Sequence, residues 1–152
     1  MLQQTVGAPP AASRGTYRAT RWVVRLVFGV HAGLVAVQPV LAGLYLSGSL
    51  DAISVHSAIG GSLIPVGFLA WAAALVHRWP GRGPIWPAAV MTAVVIAEVV
   101  QVSAGYSRSL GLHVPLGVSI VGTTVGLFGW SVLSRERRTP ERPAPTVPVS
   151  TP

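Results

Sequence analysis

Six polar side chains interrupt otherwise apolar sequence: His31, Gln38, His56, Glu98, Gln101 and His113. Imidazole nitrogens ligate metals or carry protons, while a carboxyl group and two amides hold protons or bind polar ligands. The chain has no cysteine, and its two methionines are Met1 and Met91. Thiolate, disulfide, iron–sulfur and thioether-linked chemistry are therefore excluded. Any metal or cofactor must be held by histidine, carboxylate or backbone.

Spacing sorts these residues onto helix faces. His31, Gln38 and Tyr45 recur every seventh position and form one stripe, and Glu98 shares a face with Gln101. Both stripes are expected to point inward. His56 is followed four residues on by Gly60, and His113 by Gly117, so each histidine has a glycine one turn below it on its own face. A glycine there leaves room beside the backbone for a flat macrocycle. Gly67 and Thr124 continue the small-residue path down their helices.

The elements that must position these residues follow from composition. The 152 residues are 51% hydrophobic, with eleven arginines, no lysine and four acids for a net charge of +7, and mean hydropathy is +0.58. Such a chain cannot cover itself with a wetted surface. Long uncharged runs predict four membrane spans at about 22–46, 54–77, 86–104 and 111–133, each near the ~20 residues that a ~30 Å hydrocarbon core requires. The short links Ser47–Asp51, Trp79–Pro84 and Gly105–Ser109 carry turn chemistry and force antiparallel neighbours. The expected fold is an all-α integral membrane four-helix bundle, up-down-up-down, occupying residues 20–134. Residues 1–19 and the Pro/Arg-rich 135–152 read as disordered tails.

Ten of the eleven arginines fall on one side: Arg14, Arg18, Arg21, Arg25, Arg78, Arg82, Arg135, Arg137, Arg138 and Arg142, against Arg108 alone on the other. The positive-inside rule places both termini and the middle loop in the cytoplasm, and Trp22, Trp79, Trp86 and Trp130 mark the same boundary. The arginines read as topology determinants and headgroup contacts, not as a nucleic-acid surface. The first span is too long for a secretory signal and reads as retained.

In this topology His56 and His113 lie about one turn below the outer loops, on helices running in the same direction at alternate corners of the bundle. Two imidazoles at one depth on facing helices suit a b-type haem, held by two neutral nitrogens without covalent attachment. His31 reads as a helix-to-helix hydrogen-bonding residue, and His77, beside Arg78 at the inner interface, as a residue without special role. Glu98 has two open readings. It either bonds Gln101, Gln38 or a carbonyl near Pro39, or it serves the haem site with Gln101, as a proton relay, a tuner of potential or part of a quinone-headgroup site. A second haem would need His31 and His77, which differ in depth by roughly 10 Å, so one haem at most is expected.

The two halves repeat. Gln38, then Ala42-Gly43, Tyr45 and His56-x-x-x-Gly60 recur as Gln101, Ala104-Gly105, Tyr106 and His113-x-x-x-Gly117. Two hairpins related by a pseudo-two-fold axis along the membrane normal follow. This pattern, with Leu112-His113-x-Pro115-Leu116, resembles one four-helix half of haem A synthase and also small bacterial four-helix membrane proteins of unassigned function. The resemblance covers roughly residues 20–134. It implies His56 and His113 as haem ligands in a bacterial cytoplasmic membrane. Where haem A synthase has a glutamate in its first outer loop this chain has only Asp51, so the scaffold and haem site carry over better than the reaction.

The leading functional expectation is a cytochrome-like protein with haem b near the outer face, exchanging electrons with a quinone or a membrane redox partner, or handling haem; whether it is an enzyme is left open, an oxidoreductase role included. The competing expectation is a cofactor-free scaffold or partner-binding subunit, whose small-residue surface would be Gly122, Gly126 and Gly129.

Overall fold

The structure is a computed structural model that describes residues 12–134. It consists of four helices, α1 (Ala12–Leu46), α2 (Asp51–Arg78), α3 (Trp86–Tyr106) and α4 (Leu110–Leu133). All four are long and apolar enough to cross a membrane. Even the 21 residues of α3 extend about 31 Å at ~1.5 Å per residue. Each helix packs on its two neighbours in a ring, α1 on α2, α2 on α3, α3 on α4 and α4 on α1. Helices α1 and α3 therefore face each other across the centre, as do α2 and α4, and the chain runs up-down-up-down.

The inner faces recur at three- and four-residue steps. Val24, Phe28, His31 and Val35 are buried on α1; Leu63, Gly67, Ala70, Ala74 and His77 on α2; Met91, Val94, Val95 and Glu98 on α3; Ile120, Thr124, Leu127 and Ser131 on α4. The outer faces are also apolar, with Leu26, Val30, Leu69, Ile96, Val118 and Val125 exposed. A helix hydrophobic all round needs an apolar environment on both sides, here the bundle core and lipid.

Helix α1 begins at Ala12, well before the expected end of the N-terminal tail at residue 19. Docking accounts for the extra turns. The Tyr17 ring packs on His77 with centroids 5.0 Å apart, and Thr20 Oγ1 lies 3.0 Å from His77 Nδ1. Residues 1–11 and 135–152, the remainder of the expected tails, lie outside the described residues. The inward stripe on α1 also differs from expectation: His31 is buried and Gln38 half-buried, but Tyr45 is exposed. A seven-residue repeat drifts about 20° per heptad on a straight helix, and Tyr45 has reached the helix end.

The two hairpins close in the same way. Ser49 N–H donates to Leu44 O and Gly48 N–H to Tyr45 O, while Ser109 N–H donates to Ala104 O and Arg108 N–H to Gly105 O. Gly48 (φ 101°) and Arg108 (φ 56°) occupy the left-handed position of this helix-ending motif. In the first hairpin ten residues separate Gln38 from Gly48 and eight separate Gly48 from His56; in the second the steps from Gln101 to Arg108 and on to His113 are seven and five. The first hairpin is thus three residues longer on each arm, close to one extra helical turn. That offset is the gap in the sequence repeat.

At the opposite end, Arg25 ties α1 to the close of α4. Its Nε donates to Ser131 O (2.8 Å) and its Nη2 to Val132 O (3.1 Å), satisfying carbonyls that a helix C-terminus leaves without partners. The guanidinium also lies 4.9 Å from the Trp22 ring. Trp86 packs edge-on against Trp130 at 4.7 Å, so the expected aromatic boundary forms at this arginine-rich end.

Candidate functional site

His56 and His113 meet across the diagonal between α2 and α4. Their ring centroids are 6.1 Å apart and their planes are inclined at 54°. Each imidazole is anchored by the preceding helix of its own hairpin: His56 Nδ1 lies 3.2 Å from Gln38 O and His113 Nδ1 lies 2.9 Å from Gln101 O. A carbonyl oxygen only accepts, so in each case Nδ1 carries the proton and donates. In the neutral ring this leaves the lone pair on Nε2. The two-fold relation suggested by the sequence repeat reappears in this bonding.

The neighbouring glycines serve two purposes. Gly105 lets α3 approach the second histidine, since a Cβ there would lie 3.0 Å from His113 Cε1 and 3.2 Å from Nδ1. Gly60 and Gly117 border the glutamine side chains: a Cβ at Gly117 would come within 2.8 Å of Gln101 Nε2, and one at Gly60 within 3.8 Å of Gln38 Oε1. The notches expected to admit a macrocycle therefore hold amide ends in this structure. Gln38 Nε2 and Gln101 Oε1 are buried without hydrogen-bond partners.

Deeper in the bundle, the other diagonal is bridged by His31 and Glu98. His31 Nε2 and Glu98 Oε1 are 2.6 Å apart, with the side chains 1% and 2% exposed. The inter-helix bonding expected of His31 is present. The partner of Glu98 is this histidine, not Gln101, Gln38 or a carbonyl near Pro39. Counted from the glutamine level, His31 lies seven residues down α1 and Glu98 three down α3, an offset of about 6 Å that depth counting alone does not bring together. Gly67 seats the pair, because a Cβ there would overlap Glu98 Oε2. That oxygen is buried and unpartnered.

His77 is enclosed more tightly than an interfacial histidine without a role would be. Thr20 binds its Nδ1. The α2–α3 connection wraps it, since a Cβ at Gly83 would overlap its ring and a Cβ at Gly81 would overlap its carbonyl oxygen and Thr20 Oγ1. Both His31 and His77 are thus committed to hydrogen bonds.

Comparison with protein-family models, curated proteins and solved structures returns no match. What the site can do is therefore read from its own chemistry. Among the described residues no group of three or more histidines and acids clusters for a metal, and the donor set at the α2/α4 diagonal is two imidazoles. Zinc takes three or four protein ligands. A pair of opposed imidazoles suits a metal whose remaining ligands come from a macrocycle.

Proposed function

We propose that this protein binds one b-type haem through His56 and His113, at the end of the bundle away from the arginines. The observation that carries the reading is the pair of rings 6.1 Å apart, each with Nδ1 tied to a backbone carbonyl. His56 and His113, each with Nδ1 donating to a carbonyl and so with Nε2 left as a lone-pair donor, are the two residues that would hold the haem iron. Anchoring of the second ring nitrogen by a carbonyl is the usual support of a ligating histidine. The resemblance to half of haem A synthase points to the same two residues.

Gln38 and Gln101 end in the space beside Gly60 and Gly117. As flexible side chains with unpartnered amide atoms they can swing aside, and those atoms forfeit no hydrogen bond in doing so. When bound, the haem supplies one-electron chemistry. The chain's residues hold it and fix the imidazole tautomers. The arginine distribution supports an orientation with both termini cytoplasmic and the haem near the outer face of a bacterial cytoplasmic membrane. A single haem at one face exchanges electrons with a quinone or a redox partner on that side.

Purified protein from haem-replete cells is expected to show a Soret band and a sharp α band on dithionite reduction, both lost in His56→Ala and His113→Ala. A colourless wild type, or a spectrum unchanged in both variants, overturns the proposal.

A further inference from the structure

We infer that Glu98 and His31 form a proton-binding site in the middle of the membrane, reached from the His56/His113 end through the Gln38/Gln101 layer. The inference does not depend on haem. At 2.6 Å, Glu98 Oε1 and His31 Nε2 must share a proton, because two lone pairs cannot approach so closely. With His31 Nδ1 also protonated, the shared proton leaves the pair neutral overall on either atom, which is the state a low-dielectric interior favours.

The second carboxyl oxygen indicates that the site exchanges protons and is not merely a structural bridge. Glu98 Oε2 faces the α2 backbone at Gly67 and has no partner, although 98% of the residue's surface is buried. Buried polar atoms are almost always satisfied, by protein or by water. Among the described residues, three buried side-chain atoms lack partners: Glu98 Oε2, Gln101 Oε1 one turn away on α3, and Gln38 Nε2 two turns from His31 on α1. They line the interior between the buried pair and the half-exposed histidines. Water entering at that end satisfies all three in turn and supplies a hydrogen-bonded route for protons.

The route is closed at the arginine-rich end. There the core is Val24, Phe28, Ala70, Ala74, Met91 and Leu127, all buried, and the Thr124 hydroxyl donates to Ile120 O on its own helix. The ionisable groups on the packed elements are few. Helix α1 presents His31; its Arg25 is engaged with α4 carbonyls. Helix α2 has His56 at the outer end and His77 bonded to Thr20, and α4 has His113. Within the core the only ionisable group bonded to Glu98 is His31.

Infrared difference spectroscopy of the full chain in lipid nanodiscs tests this. A carboxylic acid C=O band should appear and shift in D2O, and Glu98→Gln should abolish it. His31→Gln keeps a hydrogen-bonding side chain but removes the basic nitrogen. It should shift the frequency of the Glu98 C=O band, because the bond to Nε2 is replaced by one to an amide. Gln38→Leu with Gln101→Leu should slow deuterium exchange of the band on the order of tenfold, whereas Met91→Leu, on the closed side, should leave the rate unchanged. A band that Glu98→Gln does not remove, a band position indifferent to His31→Gln, or an exchange rate indifferent to the glutamines would each overturn the inference. The band is assigned to Glu98 by its loss in Glu98→Gln, so a colourless preparation tests the inference equally well.

Discussion

Removing both members of the His31–Glu98 bridge should cost clearly less than the sum of the two single losses. The bond is short and charge-assisted, of a kind worth about 1.5–3 kcal/mol. The side chains are 1% and 2% exposed, so neither faces bulk solvent. His31→Leu or Glu98→Leu therefore forfeits the bond and also leaves the survivor buried without a partner, a further cost of about 1–3 kcal/mol. The chain unfolded in a membrane or micelle finds alternative partners, which is why measured inter-helix polar couplings average only ~0.6 kcal/mol and reach ~1.7. Weighing these, each single substitution should lose about 3 kcal/mol, and the double substitution to leucine should lose at least ~1.5 kcal/mol less than the sum of the two. Equilibrium unfolding in mixed dodecyl maltoside and sodium dodecyl sulfate micelles, followed by far-ultraviolet circular dichroism, measures this cycle. Additivity of the two losses within ~0.5 kcal/mol would refute the claim that the residues are energetically paired.

Other substitutions probe the inner loop and the topology. Gly83→Ala places a methyl group into the His77 ring and should cost about 1–3 kcal/mol by overpacking; Gly126→Ala, whose Cβ meets nothing within 4 Å, should gain up to ~1 kcal/mol from helix propensity in the same micelle assay. Because the chain lacks cysteine, single substitutions report sidedness cleanly. In intact cells Ser49→Cys and Ser107→Cys should react with an impermeant maleimide and Ser134→Cys only after permeabilisation, and the reverse pattern would overturn the arginine-based orientation.

Much of the scaffold was legible from local patterns. The uncharged runs gave the four helices, and the short loops gave their antiparallel order, because span length and loop length are properties of contiguous sequence. The matched depth of His56 and His113 was also readable, since each lies a short count from an outer turn. The N-terminal boundary was not. The helix continues through residues 12–19 because Tyr17 and Thr20 dock on His77, nearly sixty positions away. The partner of Glu98 escaped for a similar reason: His31 lies on the diagonal helix, and nothing in either helix's own periodicity encodes the offset between them.

The sequence by itself determined which residues are polar within the membrane, on which helix and near which end each lies, and how the arginines divide between the two sides. All of these follow from hydropathy and from the fixed rise and turn of an α-helix. Only the tertiary structure decided the pairings: His56 toward His113 with each ring tied to a glutamine carbonyl, His31 with Glu98, Gly67 beneath the carboxyl, and His77 wrapped by the loop through Gly81 and Gly83. Helical periodicity specifies a face, but how two faces are offset along the bundle axis depends on helix packing and loop geometry. The inward reach of the side chains then sets which of them meet.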